Sequence, residues 1–198
     1  ILVAGEKTVA WLFKRSVSIC GFTIDRKEAE KLATSDLDGT LLYQVYLMSG
    51  VCLKYKSVYC DIPFSVVRQT FREDISFFGA SEAERKRYIP GKVLEQNSIN
   101  FTSSYFEVSN YIDNKYKTDI TPLIRESLSK YSYPFLSIQR KNGIIPFLKY
   151  ANKLETMFGL GSTIYFYIYK WSLVILGEKI CDEIIIRLKK ILGHTPNL

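Results

Sequence analysis

Residues 31–44, "KLATSDLDGTLLYQ", set two carboxylates, Asp36 and Asp38, two positions apart and follow them with Gly39 and Thr40. What lies on either side decides the fold. The residues just before Asp36 are Lys31, Leu32, Ala33, Thr34 and Ser35, the tail of "IDRKEAEKLA", a run of strong helix formers with Asp25 placed to cap it. Beyond the pair, Leu41, Val45, Met48 and Cys52 recur at i, i+4, i+7 and i+11, the spacing of one buried helix face. The stretch therefore reads as a turn between two helices, with Ser35 or Asp36 capping the second.

Asp36-Leu37-Asp38-Gly39-Thr40-Leu41 resembles the signature of the haloacid dehalogenase family, whose first Asp accepts a phosphoryl group and whose second is an acid/base. That resemblance would imply a hydrophobic strand ending at Asp36, a downstream Ser or Thr, a Lys, and a late acidic pair for magnesium. The strand is absent. Ser49 follows Asp38 too closely for an intervening helix and return strand, and Asp182-Glu183 lies inside a helical pattern. A mainly α fold is expected instead: an irregular helical bundle with a small β element near residues 134–138 and 163–171. Residues 1–193 are expected to form one helical domain, with 90–175 as a candidate smaller lobe and 194–198 as a tail.

Outward from that turn, Gly5-Glu6-Lys7-Thr8 shares the end of a phosphate-binding loop, but Glu6 fills a glycine slot and no cradle of amides precedes it. A helix is expected after Gly5. Asp61 and Pro63 open another, with Phe64, Val67, Phe71, Ile75 and Phe78 on one face, Arg68 and Arg72 on another, and Gly79 at its end. Ser81 and Glu84 stand in capping-box spacing ahead of Arg85, Lys86 and Arg87. Residues 90–120 are rich in Asn, Ser and Tyr and show no clear period. Thr121-Pro122 starts a short helix to Lys130, Pro134 opens "PFLSI" as a short strand, and Asn142-Gly143 marks a turn. Ile144, Phe147, Ala151 and Leu154 keep helical spacing. "TIYFYIYKW" alternates Ile164, Phe166 and Ile168 with Tyr165, Tyr167 and Tyr169, the period of a strand. A final helix reaches Leu192, with Glu183 and Arg187 at i, i+4, Lys189 and Lys190 in its last turn, and Gly193 beyond.

The 198 residues can bury a substantial core, and 47% apolar with 24% charged residues is ordinary globular composition. Lys and Arg outnumber Asp and Glu by 27 to 20, which favours a polyanionic partner. Cys20, Cys52, Cys60 and Cys181 form no CxxC pair, so buried thiols in a reducing, intracellular setting are expected, cytoplasmic or nuclear. Asn100-Phe101-Thr102 matches a glycosylation acceptor, with nothing else marking a secreted protein. The first residue is Ile1 rather than Met, which leaves room for a preceding segment. The longest apolar run, Thr163 to Leu176, is too short to span a bilayer and carries Lys170. No membrane association is expected.

Catalytic chemistry finds little support. His194, the single histidine, sits in the terminal "HTPNL", where no packing would fix an imidazole. A metal-dependent nuclease needs an acidic residue on one strand and [DE]xK on the next. Asp113-Asn114-Lys115 fits the letters best, and Glu84-Arg85-Lys86 sits on a charged helix. No catalytic residue, metal ligand or cofactor is assigned. The candidate nucleic-acid contacts are Arg85, Lys86 and Arg87, and Arg140 and Lys141 beside the Asn142-Gly143 turn.

"PFLKYANKLE" (146–155), "STIYFYIYKW" (162–171) and "SLVILGEKICDEIIIRLKKIL" (172–192) follow one another in an order that resembles the closing helix, strand and terminal helix of a known domain: the N-terminal helical domain of the large, regulatory subunit of archaeal and eukaryotic-type DNA primases. "LLYQVYLMSG" (41–50) and "SVVRQTFREDISFF" (65–78) are loosely similar to its earlier helix pair. The family's iron-sulfur domain has no counterpart in the cysteine pattern. The resemblance implies a non-catalytic subunit that docks a polymerase or primase catalytic subunit and touches DNA or RNA. A metal-dependent nuclease and a protein-interaction module without nucleic-acid binding are the alternatives.

Overall fold

In the computed structural model, which describes residues 1–15, 22–60, 81–89 and 94–191 and only the backbone of 189 and 190, regular structure is helical apart from one isolated bridge between Leu2 and Ser57. The fold is mainly α. Its described residues fall in two compact units, Ile1–Ser127 and Leu128–Leu198. The expected helix over Asp61–Gly79, Cys20, and the terminal Gly193 and His194 lie outside the described residues, as do the side chains of Lys189 and Lys190.

In the first unit, side-chain caps set two helix starts among the described residues. Asp25 Oδ1 accepts the Glu28 amide at 3.0 Å to open α2 (Arg26–Leu32), following α1 (Glu6–Phe13). Ser81 Oγ accepts the Glu84 amide at 3.2 Å to open the single turn α4 (Glu82–Arg85). Between α2 and α4 lies α3 (Tyr43–Lys54), whose Gly50 lets α2 approach closely: a Cβ there would stand 2.7 Å from a Leu32 methyl. The core joins Val9 and Phe13 of α1, Val45 and Tyr46 of α3, and Tyr105, Val108 and Ile112 of α5 (Glu95–Tyr116). α6 (Ile120–Lys130) follows.

The 31–44 stretch forms a turn between α2 and α3, though not with the expected cap. α3 begins after Leu42 without a side-chain cap. Thr34 Oγ1 instead accepts the Asp36 amide, the Thr40 hydroxyl donates to the Leu37 carbonyl, and Tyr43 Oη accepts the Thr34 amide. The turn satisfies its own polar groups, which frees Asp36 to accept from the Tyr111 hydroxyl at 2.9 Å.

The second unit is built from α7 (Tyr133–Arg140), α8 (Ile144–Phe158), a 3-10 turn (Leu160–Ser162) and α9 (Ile164–Ile191). Leu136, Phe147, Tyr150, Leu154, Leu160, Phe166 and Leu173 make its core. Ser129 ties the end of α6 to the 3-10 turn: its hydroxyl donates to the Leu160 carbonyl at 2.5 Å and accepts the Thr163 amide at 3.1 Å. Both halves of the expected β element are corrected here. Residues 134–138 lie within α7, and 164–171 open α9 after the extended Thr163. When nearly every residue is apolar or aromatic, a period of two coexists with a helical one, and packing decides. Phe166 and Leu173, seven residues apart, are fully buried, which is helical spacing. The segment resembling the primase strand is therefore a helix.

Candidate functional site

The two basic clusters have different fates. Arg85 and Lys86 are exposed at the end of α4, where Lys86 Nζ lies 3.4 Å from Glu82. Arg87 is half-buried and turned inward: one terminal nitrogen donates to both oxygens of Glu107 on α5, at 2.5 and 2.7 Å. Its carbonyl accepts from the Asn100 side chain, which also shows Asn100 engaged within the fold. Of the three cations, Arg87 is committed to tying the segment just after α4 to α5.

Arg140 ends α7, Lys141 follows it, and a backbone break brings a third cation to them. Gly177, with φ 78° and ψ 171°, interrupts α9 in a region almost reserved for glycine. The two halves bend around α7. The Tyr133 ring meets Tyr169 before the break at 5.7 Å, and its hydroxyl donates to Asp182 after it at 2.5 Å. Burial and that carboxylate both push the Tyr133 phenol well up. Arg140 repeats the pattern. Its Nε donates to the Leu173 carbonyl at 2.7 Å, near the end of the first half, where carbonyls run short of helical amides. Beyond the break, burial pushes the Cys181 thiol up, Asp182 adds to the effect, and Arg140 pulls the other way.

In this elbow Arg140, Lys141 and Lys179 line one shallow cleft of about 470 Å³. The backbones of Gly143 and Gly177 form part of its wall, and Glu178 is its single acidic member. Lys141 and Lys179 make no ion pair among the described residues. The first turn of the resumed helix, Glu178 to Ile180, also lines the cleft. Sequence reading found Arg140 and Lys141 but not Lys179, whose place depends on the break at Gly177.

Asp113, the carboxylate whose sequence setting best fits a metal-dependent nuclease, holds structure. Asp113 sits on α5, a helix rather than a strand, and accepts from the Ile120 and Thr121 amides at 2.8 and 3.0 Å and from the Thr118 and Thr121 hydroxyls at 2.8 and 2.6 Å. Burial works to raise its pKa, but these bonds outweigh it and hold the carboxyl below its ordinary value. Lys115 points elsewhere: its Nζ donates to Tyr46 Oη at 2.7 Å among the rings of Tyr46, Tyr111 and Tyr116. That bond raises its pKa, the opposite of what would make a base or nucleophile at neutral pH. Among the described residues no three His, Cys, Asp or Glu side chains gather in a metal-binding group. Of the cysteines, Cys52 and Cys181 are buried free thiols and Cys60 is exposed.

The other conspicuous surface is apolar. Ile164, Ile168, Trp171 and Ile175 follow the helical period along the first half of α9, and all are exposed. No helix among the described residues is long and apolar enough to cross a membrane. In comparison with known proteins, no family model, no curated protein and no solved structure matches the chain.

Proposed function

We propose that this chain is a non-catalytic, basic helical subunit of a nucleic-acid-processing assembly, with its second unit contacting phosphate through Arg140, Lys141 and Lys179. One observation carries the reading: cations distant in sequence converge on one cleft, and two of them have no carboxylate partner among the described residues. The net excess of seven positive charges supports it through long-range attraction to a polyanion. Residues 146–192, which carry most of the resemblance to the primase regulatory subunit, include Lys179 and the break that positions it. Under that resemblance the partner would be a primase or polymerase catalytic subunit, and the ligand DNA or RNA.

The test is fluorescence anisotropy with labelled single-stranded DNA and RNA over a range of salt. The wild type should bind both, with affinity falling as salt rises. Lys141→Glu/Lys179→Glu should weaken binding and flatten the log–log salt slope by about 1.4, roughly 0.7 for each lysine that no longer neutralises a phosphate of a single strand. Arg85→Glu/Lys86→Glu should do less, since the neighbouring Arg87 is already held by Glu107. Absence of binding at low salt, or binding that ignores the Lys141/Lys179 pair, would overturn the proposal. A protein-interaction module would then be the better reading, favoured by the exposed apolar face of α9.

A further inference from the structure

The second half of α9 carries an apolar stripe of its own. Ile180, Ile184, Leu188 and Ile191 recur at i, i+4, i+8 and i+11 and are 51, 42, 50 and 79% exposed. The packed side of the same segment is a different one: Cys181 is buried, and Asp182 accepts the Tyr133 hydroxyl. Beside the stripe, Glu183 and Arg187 form an ion pair at 3.9 Å with both side chains mostly in solvent.

We propose that a second copy of this chain covers this stripe, the two helices running antiparallel about a two-fold axis at the level of Ile185. The charge pattern selects that occupant. With a rise of about 1.5 Å per residue, Glu183 and Arg187 lie roughly 3 Å to either side of the level of residue 185 along the helix axis. Antiparallel pairing about that level sets Glu183 of each copy beside Arg187 of the other, twice, as an isologous interface requires. Parallel pairing would carry the Glu183–Arg187 flank of the two copies to opposite sides of the seam, where neither ion pair could form. Glu178, Asp182 and Glu183 nearly cancel Lys179, Arg187, Lys189 and Lys190 along this half of the helix, so it lacks the strongly basic polar face with which amphipathic helices hold anionic headgroups. The exposed isoleucines and Leu188 supply the apolar contact, and the ion pairs set its register. This interface does not depend on phosphate binding at the Arg140–Lys141–Lys179 cleft.

Sedimentation velocity on the full chain over a wide concentration range tests it. The wild type should be a dimer whose mass falls to that of a monomer on dilution, and Ile184→Glu should be monomeric throughout. Glu183→Arg and Arg187→Glu should each raise the dissociation constant by roughly a hundredfold, since like charges then meet twice across the axis. Mixing those two variants should restore dimers, because every Arg then faces a Glu of the other copy. An intrahelical ion pair could not produce that rescue. A wild type that stays monomeric at its solubility limit, a dimer indifferent to the charge reversals, or a mixture that fails to re-pair would each overturn the proposal. Unchanged circular dichroism of the variants separates lost pairing from lost folding.

Discussion

The two longest described helices invert each other. α5 buries Asn97, Thr102, Ser104 and Ser109, whereas α9 leaves Ile164, Ile168, Trp171 and Ile175 in solvent. In α5 the buried polar groups bring partners with them. Thr102 and Ser104 donate to the carbonyls four residues back, Ser109 to the one three back, and Asn97 exchanges both its amide bonds with the Ile89 backbone. A polar side chain satisfied within its own neighbourhood costs little to bury. α9 has the opposite allocation, with Phe166 and Leu173 enough to anchor its first half and the remaining apolar residues left over for other contacts. Polarity along a helix therefore reports which faces are committed only after the partners are known.

The largest effect should come from breaking the inside of α5. Tyr105 is buried, with Phe13 at 6.3 Å and Phe101 at 5.4 Å between ring centroids, and burial pushes its phenol up to about 12. Tyr105→Ala should destabilise the protein by roughly 3–5 kcal/mol, the range for emptying an aromatic core position. Urea unfolding would show it as a lowered midpoint at unchanged slope. A loss near zero would mean that α5 is no more committed to its core than α9 is to solvent.

A middle-sized effect should follow from the break that divides α9. A Cβ added at Gly177 meets nothing within 4 Å, so Gly177→Ala tests backbone conformation without a clash. At φ 78° and ψ 171° the substitution should cost about 1–3 kcal/mol, or relax toward a straight helix. Straightening would draw Tyr133 away from either Tyr169 or Asp182 and move Lys179 from Arg140, so stability and phosphate binding should fall together. Thermal unfolding paired with anisotropy checks that coupling.

These positions also mark what could be read from the chain. Asp25 and Ser81 announced their helices because a cap is a local hydrogen bond between residues three apart. α8 was legible because Phe147, Ala151 and Leu154 bury on one face with few interruptions. α5 was not, since its buried Asn, Ser and Thr erase the apolar period while its helix remains. The first half of α9 failed for the opposite reason, an excess of apolar and aromatic residues that fits two periods. At the candidate site, Arg140 and Lys141 were visible as neighbours in sequence. Glu107, which neutralises Arg87 from twenty residues away, and Lys179, delivered by the Gly177 elbow, depended on tertiary structure.

The smallest effect is expected on the outer face of α9, and it sharpens the contrast most. Ile175 is 77% exposed, so Ile175→Ser removes little area that folding took from water, and serine has only a modestly lower helix propensity. The change should stay within about 0.5 kcal/mol in urea unfolding, as surface substitutions usually do. The same exposure makes it informative about association, because removing an exposed isoleucine lowers affinity only where something covers it. Stability that stays constant while co-purifying protein is lost would assign the first half of α9 to a partner. A stability loss comparable to that of Tyr105→Ala would instead show that this face is already buried by the chain itself, and the inversion between the two helices would disappear.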